Sequence, residues 1–296
     1  PTQLVEIEMN AIAGSAKGAE WDGMKLTRTN YASGAPLEET LGYSRMVQIG
    51  PFVFVGGTTS VQANGSVAGK GDAVAQNDFI LKKEIGLLEK VGAKASDIVK
   101  MKKYVTADYQ TGWDMEKSEV SLPISQMVYS EAVVDQLTRE GQLLETELTA
   151  VIGCGGTGKL AEWGSMDFRK KAVDVNADGY AKIVKIGPFV YGGLVHSLDE
   201  TGKVVGVKDS EIQESYAIRQ LTDSLAKVGV KPEEVVKFKG YYTQEFGQRY
   251  GETETPLYEK VYKPIKPLYT GVYVSSVGKE EEIFTMEVMA VKGCCD

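Results

Sequence analysis

The chain is written twice. GYSRMVQIGPFVF (42–54) returns as GYAKIVKIGPFVY (179–191), a spacing of 179 − 42 = 137. The same spacing carries Gly65 to Gly202, Gly69 to Gly206, Asp72 to Asp209, Gln76 to Gln213, Lys100 to Lys237 and Tyr104 to Tyr241. A period this long means two homologous bodies in tandem, not a stack of short units. A second string recurs three times: EIEMNAIAG (6–14), ETELTAVIG (145–153) and FTMEVMAVKG (284–293), with Glu8, Glu147 and Glu287 in one place. Its first copy has no body in front of it. Residues 4–14 either add a strand to a sheet or are the remnant of a lost repeat, and both readings stand at this point.

Within a body the elements can be read in order. MVQIGPFVFVGG is β-branched and aromatic and ends in Gly-Gly, so it predicts a strand. Asn64-Gly65 predicts a turn, replaced by Thr201-Gly202 in the second body. Leu81, Ile85 and Leu88 share one helical face within 73–91, and Ile218, Leu221, Leu225 and Val228 do so within 211–228. Gly92 and Gly229 predict the helix stops. DIVKMKKYVT and EVVKFKGYYT read as strands, followed by weaker helices near 111–121 and 252–262 and two closing strands. The fold class is α+β: two tandem domains, each a mixed sheet with helices packed on one face. The expected division is 1–24 as extra strand plus linker, 25–153 as the first domain, 154–166 as a flexible linker, and 167–296 as the second domain.

Charge and rare residues narrow the chemistry. With 33 basic and 41 acidic residues the net charge is −8. That disfavours nucleic acid as a partner, because lysine and arginine on phosphates supply that affinity. One histidine, His196, excludes a multi-histidine zinc site; after a strand it reads as a surface residue. Cys154, Cys294 and Cys295 form no disulfide framework and are expected to bind no metal. No apolar run approaches the roughly 18 residues of a membrane helix. PTQLVEIEMN lacks the basic and apolar regions of a secretion signal. A cytoplasmic location without membrane contact is therefore expected. GCGGTGKL (153–160) has the G-x-x-x-x-G-K spacing of a phosphate loop, but Leu160 stands where Ser or Thr would hold magnesium. A linker is the better reading.

Gly-Tyr-Ser before the first long strand, VGGT after it, the helix–VGA–DIVK connection and the closing E-x-E-x-x-A pattern resemble the RidA (YjgF) family over nearly all of both bodies. The resemblance implies a chorismate-mutase-like α+β fold, trimers with small-molecule clefts between neighbouring domains, and cofactor-free hydrolysis of enamines and imines to a ketone and ammonia. It also implies an arginine near the start of the penultimate strand, whose fork would clamp a substrate carboxylate. Ser125 and Tyr269 stand at that position here, so both grooves are expected to lack a positive anchor unless Lys266 or Arg45 supplies one from another direction.

The remaining candidates follow from the same resemblance. Glu147 and Glu287 fall on the closing strand, where a carboxylate orients water or accepts a proton; the competing reading is an ion pair across an interface. Tyr43, with Ser44, and Tyr180 match the family's cleft tyrosine, or pack an interface. Gly56-Gly57 and Gly192-Gly193 let a backbone approach a ligand, or form a bulge. Ser125 and Tyr269 complete the substrate-binding set. The expectation is a homo-oligomer, three tandem chains forming two rings, that binds a small-molecule metabolite without cofactor. It acts as a deaminase of altered preference or, alternatively, as a non-catalytic sensor or structural oligomer.

Overall fold

A computed structural model describes residues 9–249 and 256–295. After two two-residue strands, β1 (Glu20–Trp21) and β2 (Met24–Lys25), the first repeat runs β3 (Arg28–Tyr31), α1 (Pro36–Leu41), β4 (Met46–Ile49), β5 (Phe52–Thr58), α2 (Ala73–Glu89), β6 (Ile98–Val105), α3 (Ala107–Gly112), β7 (Val128–Val133) and β8 (Leu144–Val151). The second runs β9 (Lys171–Val175), β10 (Ala181–Ile186), β11 (Phe189–Val195), α4 (Ser210–Lys227), β12 (Val235–Tyr242), α5 (Gln244–Arg249), α6 (Pro256–Val261), β13 (Leu268–Tyr273) and β14 (Phe284–Val291). Each repeat builds a six-stranded sheet in equivalent order, β3-β4-β5-β8-β6-β7 and β9-β10-β11-β14-β12-β13. The β6–β7 and β12–β13 pairs are parallel and the rest antiparallel. This is the mixed α+β architecture expected from the sequence.

Three sequence expectations need correction. The strand expected over 46–57 is a hairpin: Gly50 takes φ +55° and Pro51 has no N–H to continue a ladder, so the chain reverses between β4 and β5. The helix expected near 111–121 is instead α3, which ends at Gly112, followed by a single tight turn over Met115–Lys117. In the second repeat, the described residues hold α5 and α6. The segment 154–166 is also no loose tether. Cys154 is buried with its thiol on the Asp97 carbonyl, and the Gly155 amide donates to the Asp97 carboxylate. Of the extra strand expected at 4–14, residues 4–8 lie outside the described residues, and 9–14 form no strand.

The long helices are set by their ends. Asp72 and Asp209 each accept the amide three residues on (2.9 and 3.0 Å), and Gly92 and Gly229 close the helices at φ +76° and +71°. α2 and α4 cover one face of their sheets. The other faces meet each other: β7 of the first repeat lies against β10 and β11 of the second. Phe52, Val99 and Val128 pack with Phe168, Ala181, Val184 and Ile186 in one apolar cluster spanning both repeats. Phe52 sits edge-on to Phe168 and Phe189, with centroids 5.7 and 5.3 Å apart.

Candidate functional site

The strand registers decide which side chains share a face. On β6, the bulge at Ile98/Lys100 turns Lys100, Lys102 and Tyr104 toward the second repeat and leaves Lys103 facing α2. Equivalent ladder positions place Lys239 with Lys102, Tyr241 with Tyr104, and Glu287 with Glu147. The faces that meet between the sheets are therefore polar at their centre.

Glu287 sits there, buried on β14. Its Oε2 accepts Lys100 Nζ at 2.8 Å and the Ser130 hydroxyl, both from the first repeat, and its Oε1 accepts the Tyr241 hydroxyl at 3.0 Å. Lys102 Nζ lies 5.0 and 5.2 Å from the rings of Tyr104 and Tyr241. Burial alone would raise the Glu287 pKa. The Lys100 and Lys102 ammonium groups and the hydrogen bonds from Lys100 and Ser130 outweigh it and hold the carboxyl well below the usual range. Ammonium groups from β6, a strand that held no candidate in the sequence reading, therefore reach Glu287, but Lys100 is held by that carboxylate and Lys102 lies over the Tyr104 and Tyr241 rings. Their alternation on KMKK was the available signal.

Glu147 has a different setting. It is half-buried, opposite Lys102 in the β6–β8 ladder. Glu145, two residues earlier on the same face, has its pKa raised by burial and by the Glu147 charge, with Arg45 opposing. Glu145 lies so close to Gly57 that a Cβ there would fall 1.9 Å from its Oε1. Arg45 Nε bonds Glu38 at 2.9 Å, Nη1 donates to the Gly57 carbonyl, and Nη2 donates to the Tyr43 hydroxyl at 2.9 Å. Tyr43, Ser44, Arg45, Gly56, Gly57, Glu145 and Glu147 therefore belong to one side of the first repeat, where Tyr43 and Gly56 are exposed. Glu145 was no candidate, and Arg45, named in the sequence only as an alternative anchor, has its guanidinium engaged by Glu38, Gly57 and Tyr43.

The other candidates separate from these. Tyr180 stacks on Tyr129 of the first repeat at 4.5 Å, which is interface packing. Ser125 is exposed in a tight turn ahead of β7, whereas Tyr269 lies inside β13 in ladder register with Tyr129. The two do not occupy one structural position. Tyr269 faces the helix side, against Gly240 and Tyr258. The two Gly-Gly pairs are one residue out of step as well. Gly192 holds the ladder place of Val55, with Val288 filling the space of its missing side chain, and Gly193 meets the Tyr129 backbone. Both pairs sit at β-bulges. His196 Nδ1 lies 3.2 Å from Glu282, away from Glu287. Among the described residues no group of His, Cys, Asp and Glu suits a metal, and no helix is long and apolar enough to cross a membrane.

Comparison with known proteins places the chain among relatives. Residues 34–152 match the family described as Endoribonuclease L-PSP. A Mycobacterium tuberculosis structure described as a member of the highly conserved YjgF/YER057c/UK114 family shares 30% identity, over 43% of this chain and 100% of that one (TM-score 0.34). A putative endoribonuclease from Thermotoga maritima shares 23% identity over 41% of this chain and 97% of that one (TM-score 0.36). A Rid-family protein of unknown function from Yersinia pestis shares 19% over 41% and 98% (TM-score 0.35). No curated protein matches.

Proposed function

The chain belongs to the YjgF/YER057c/UK114 (RidA) family, and from that premise we propose that it binds a small metabolite and hydrolyses an imine in the groove of the first repeat, without cofactor. Glu145 and Glu147 carry this reading. Two carboxyls on one face, Glu145 pushed up by burial and by its neighbour's charge, are placed to work as an acid–base pair. The reaction balances as an imine and a water molecule giving a ketone and ammonia. Water adds to the imine carbon as the accepting carboxylate takes one of its protons and the nitrogen gains one, giving a carbinolamine. A second proton then goes to the nitrogen, the carbon–nitrogen bond breaks, and the hydroxyl gives up its proton as the carbonyl forms, so both protons of the water leave on ammonia. Glu287 is not equipped for the same work, because three donors already occupy its oxygens.

The charge of the groove selects the substrate. Arg45 is engaged by Glu38, the Gly57 carbonyl and Tyr43, and Lys102, the ladder neighbour of Glu147, lies over the Tyr104 and Tyr241 rings, so both nearby cations already have partners. A neutral imine or a protonated iminium suits such a site better than a 2-imino acid, whose carboxylate would have to compete for a cation already engaged. Ammonia release from 2-iminopropionate and from a carboxylate-free imine of similar size tests this. Turnover should be higher on the second substrate and fall at least tenfold in Glu147→Gln. Binding without turnover on either substrate would replace the enzyme reading with that of a metabolite sensor.

We propose further that chains associate. β7 is covered by β10 and β11, but its counterpart β13 leaves Leu268 60% and Tyr273 47% exposed. A second copy covering β13 would repeat the contact already made within the chain, and three chains remain the assembly expected. Light scattering at the mass of one chain would refute association.

A further inference from the structure

Behind the first sheet, under α2, lies a polar cluster that the second repeat lacks. Thr58 on β5, Thr146 on β8 and Lys103 on β6 are lateral neighbours across three adjacent strands. Asn77 and Glu84, two helical turns apart on α2, cover them, and Tyr109 of α3 closes one end. Lys103 Nζ donates to Asn77 Oδ1 at 2.7 Å and to the Tyr109 hydroxyl at 2.6 Å, with the Trp113 ring at 4.9 Å. Glu84 is 0% exposed, and neither of its oxygens accepts a well-formed hydrogen bond, because the Thr58 hydroxyl beside it donates to the Gly56 carbonyl at 2.9 Å; the Thr146 hydroxyl, also 0% exposed, has no partner either.

The duplication supplies the control. By the 137-residue spacing and the sheet registers, Thr58, Glu84, Lys103, Tyr109 and Thr146 correspond to Val195, Leu221, Gly240, Phe246 and Met286, while Asn77 corresponds to a polar residue, the buried Glu214. The fold therefore closes without polarity at all the other places. Burying a carboxyl and an ammonium where aliphatic groups suffice costs free energy, so the cluster is not explained by packing.

We propose that Glu84, with Lys103, Thr58 and Thr146 around it, is an internal proton-binding site whose occupancy sets how tightly α2 is held on the first sheet. Burial raises the Glu84 carboxyl well above its ordinary range, with Thr58, Lys103 and Arg45 opposing and Glu147 assisting. Burial also lowers Lys103 to about 8, with Glu131, Glu84 and Asp78 opposing. Burial therefore favours the neutral acid in the folded chain. A group whose folded pKa is raised favours folding fully below its unfolded value near 4.5, and the advantage is lost as pH rises toward the folded value. Over that window opening of α2 grows by up to about tenfold per pH unit. Lys103 has the opposite sign, adding stability with rising pH between about 8 and 10.5.

The test uses the full chain. Side-chain carboxyl NMR should find one glutamate titrating far above the exposed carboxylates, absent in Glu84→Gln. Hydrogen exchange in α2, corrected for intrinsic chemistry, should accelerate from pH 5 to 8 relative to α4, and Glu84→Leu, which copies Leu221, should flatten that difference. A Glu84 signal titrating with the exposed carboxylates overturns the proposal. So does an α2–α4 difference that is flat with pH in the parent, or one that persists in both variants.

Discussion

Lys100 of the first repeat and Glu287 of the second form a 2.8 Å ion pair that crosses the line between the two sheets, with 22% and 8% of their side chains exposed. Removing one partner strands the other inside, which typically costs about 3–5 kcal/mol, whereas removing both together costs far less. Lys100→Met should thus lower unfolding free energy by about 3 kcal/mol, and Lys100→Met combined with Glu287→Leu should recover most of that loss. Chemical denaturation of the four proteins of this cycle measures it. Additive losses would mean that the pair is not coupled.

The same carboxylate sets an acid limit. Its folded pKa lies below the ordinary 4.5, so the stabilisation is complete above about pH 4.5 and is lost as pH falls below it. Glu287→Gln should remove this part of the acid dependence. Melting temperature followed from pH 6 to pH 3 in parent and variant provides the check, and parallel curves would contradict the assignment.

Two glycines predict opposite outcomes. A Cβ on Gly193 would stand 2.7 Å from the Tyr129 carbonyl oxygen of the other repeat, while one on Gly86, inside α2, meets nothing within 4 Å. Gly193→Ala should destabilise by about 1–3 kcal/mol. Gly86→Ala should stabilise by about 0.4–1 kcal/mol by restricting the unfolded chain. Urea midpoints at constant slope distinguish the two.

The thiols should divide into two classes. Cys294 and Cys295 are exposed, with sulfurs 3.3 Å apart, whereas Cys154 is buried and pushed up to about 12 by that burial. A thiol reagent should modify two cysteines in the native chain and the third only after unfolding. Rapid modification of Cys154 would show that the 154–166 segment opens.

Much of the architecture was written in the sequence because duplication and periodicity are local in character. The 137-residue spacing fixed equivalent helices, and Asp72, Asp209, Gly92 and Gly229 marked their ends. The hairpin at Gly50-Pro51 escaped because β-branched residues continue on both sides of the turn. The site was less legible. Glu147 and Glu287 look alike in sequence, yet one has Glu145 beside it and the other is enclosed by Lys100, Ser130 and Tyr241. That distinction depends on how the sheets meet, which no spacing along the chain encodes. Ser125 and Tyr269 were matched to one place near the start of the penultimate strand, and the β-ladder separates them.

The contact of β7 with β10 and β11 joins unlike surfaces of two related units held on one polypeptide. Tethering makes their encounter unimolecular, so this junction persists at any dilution, with a local concentration fixed by the connecting segment. The two copies are consequently released from having to be identical. One can keep a sealed carboxylate as mortar while its sibling stays half-buried with Glu145 beside it.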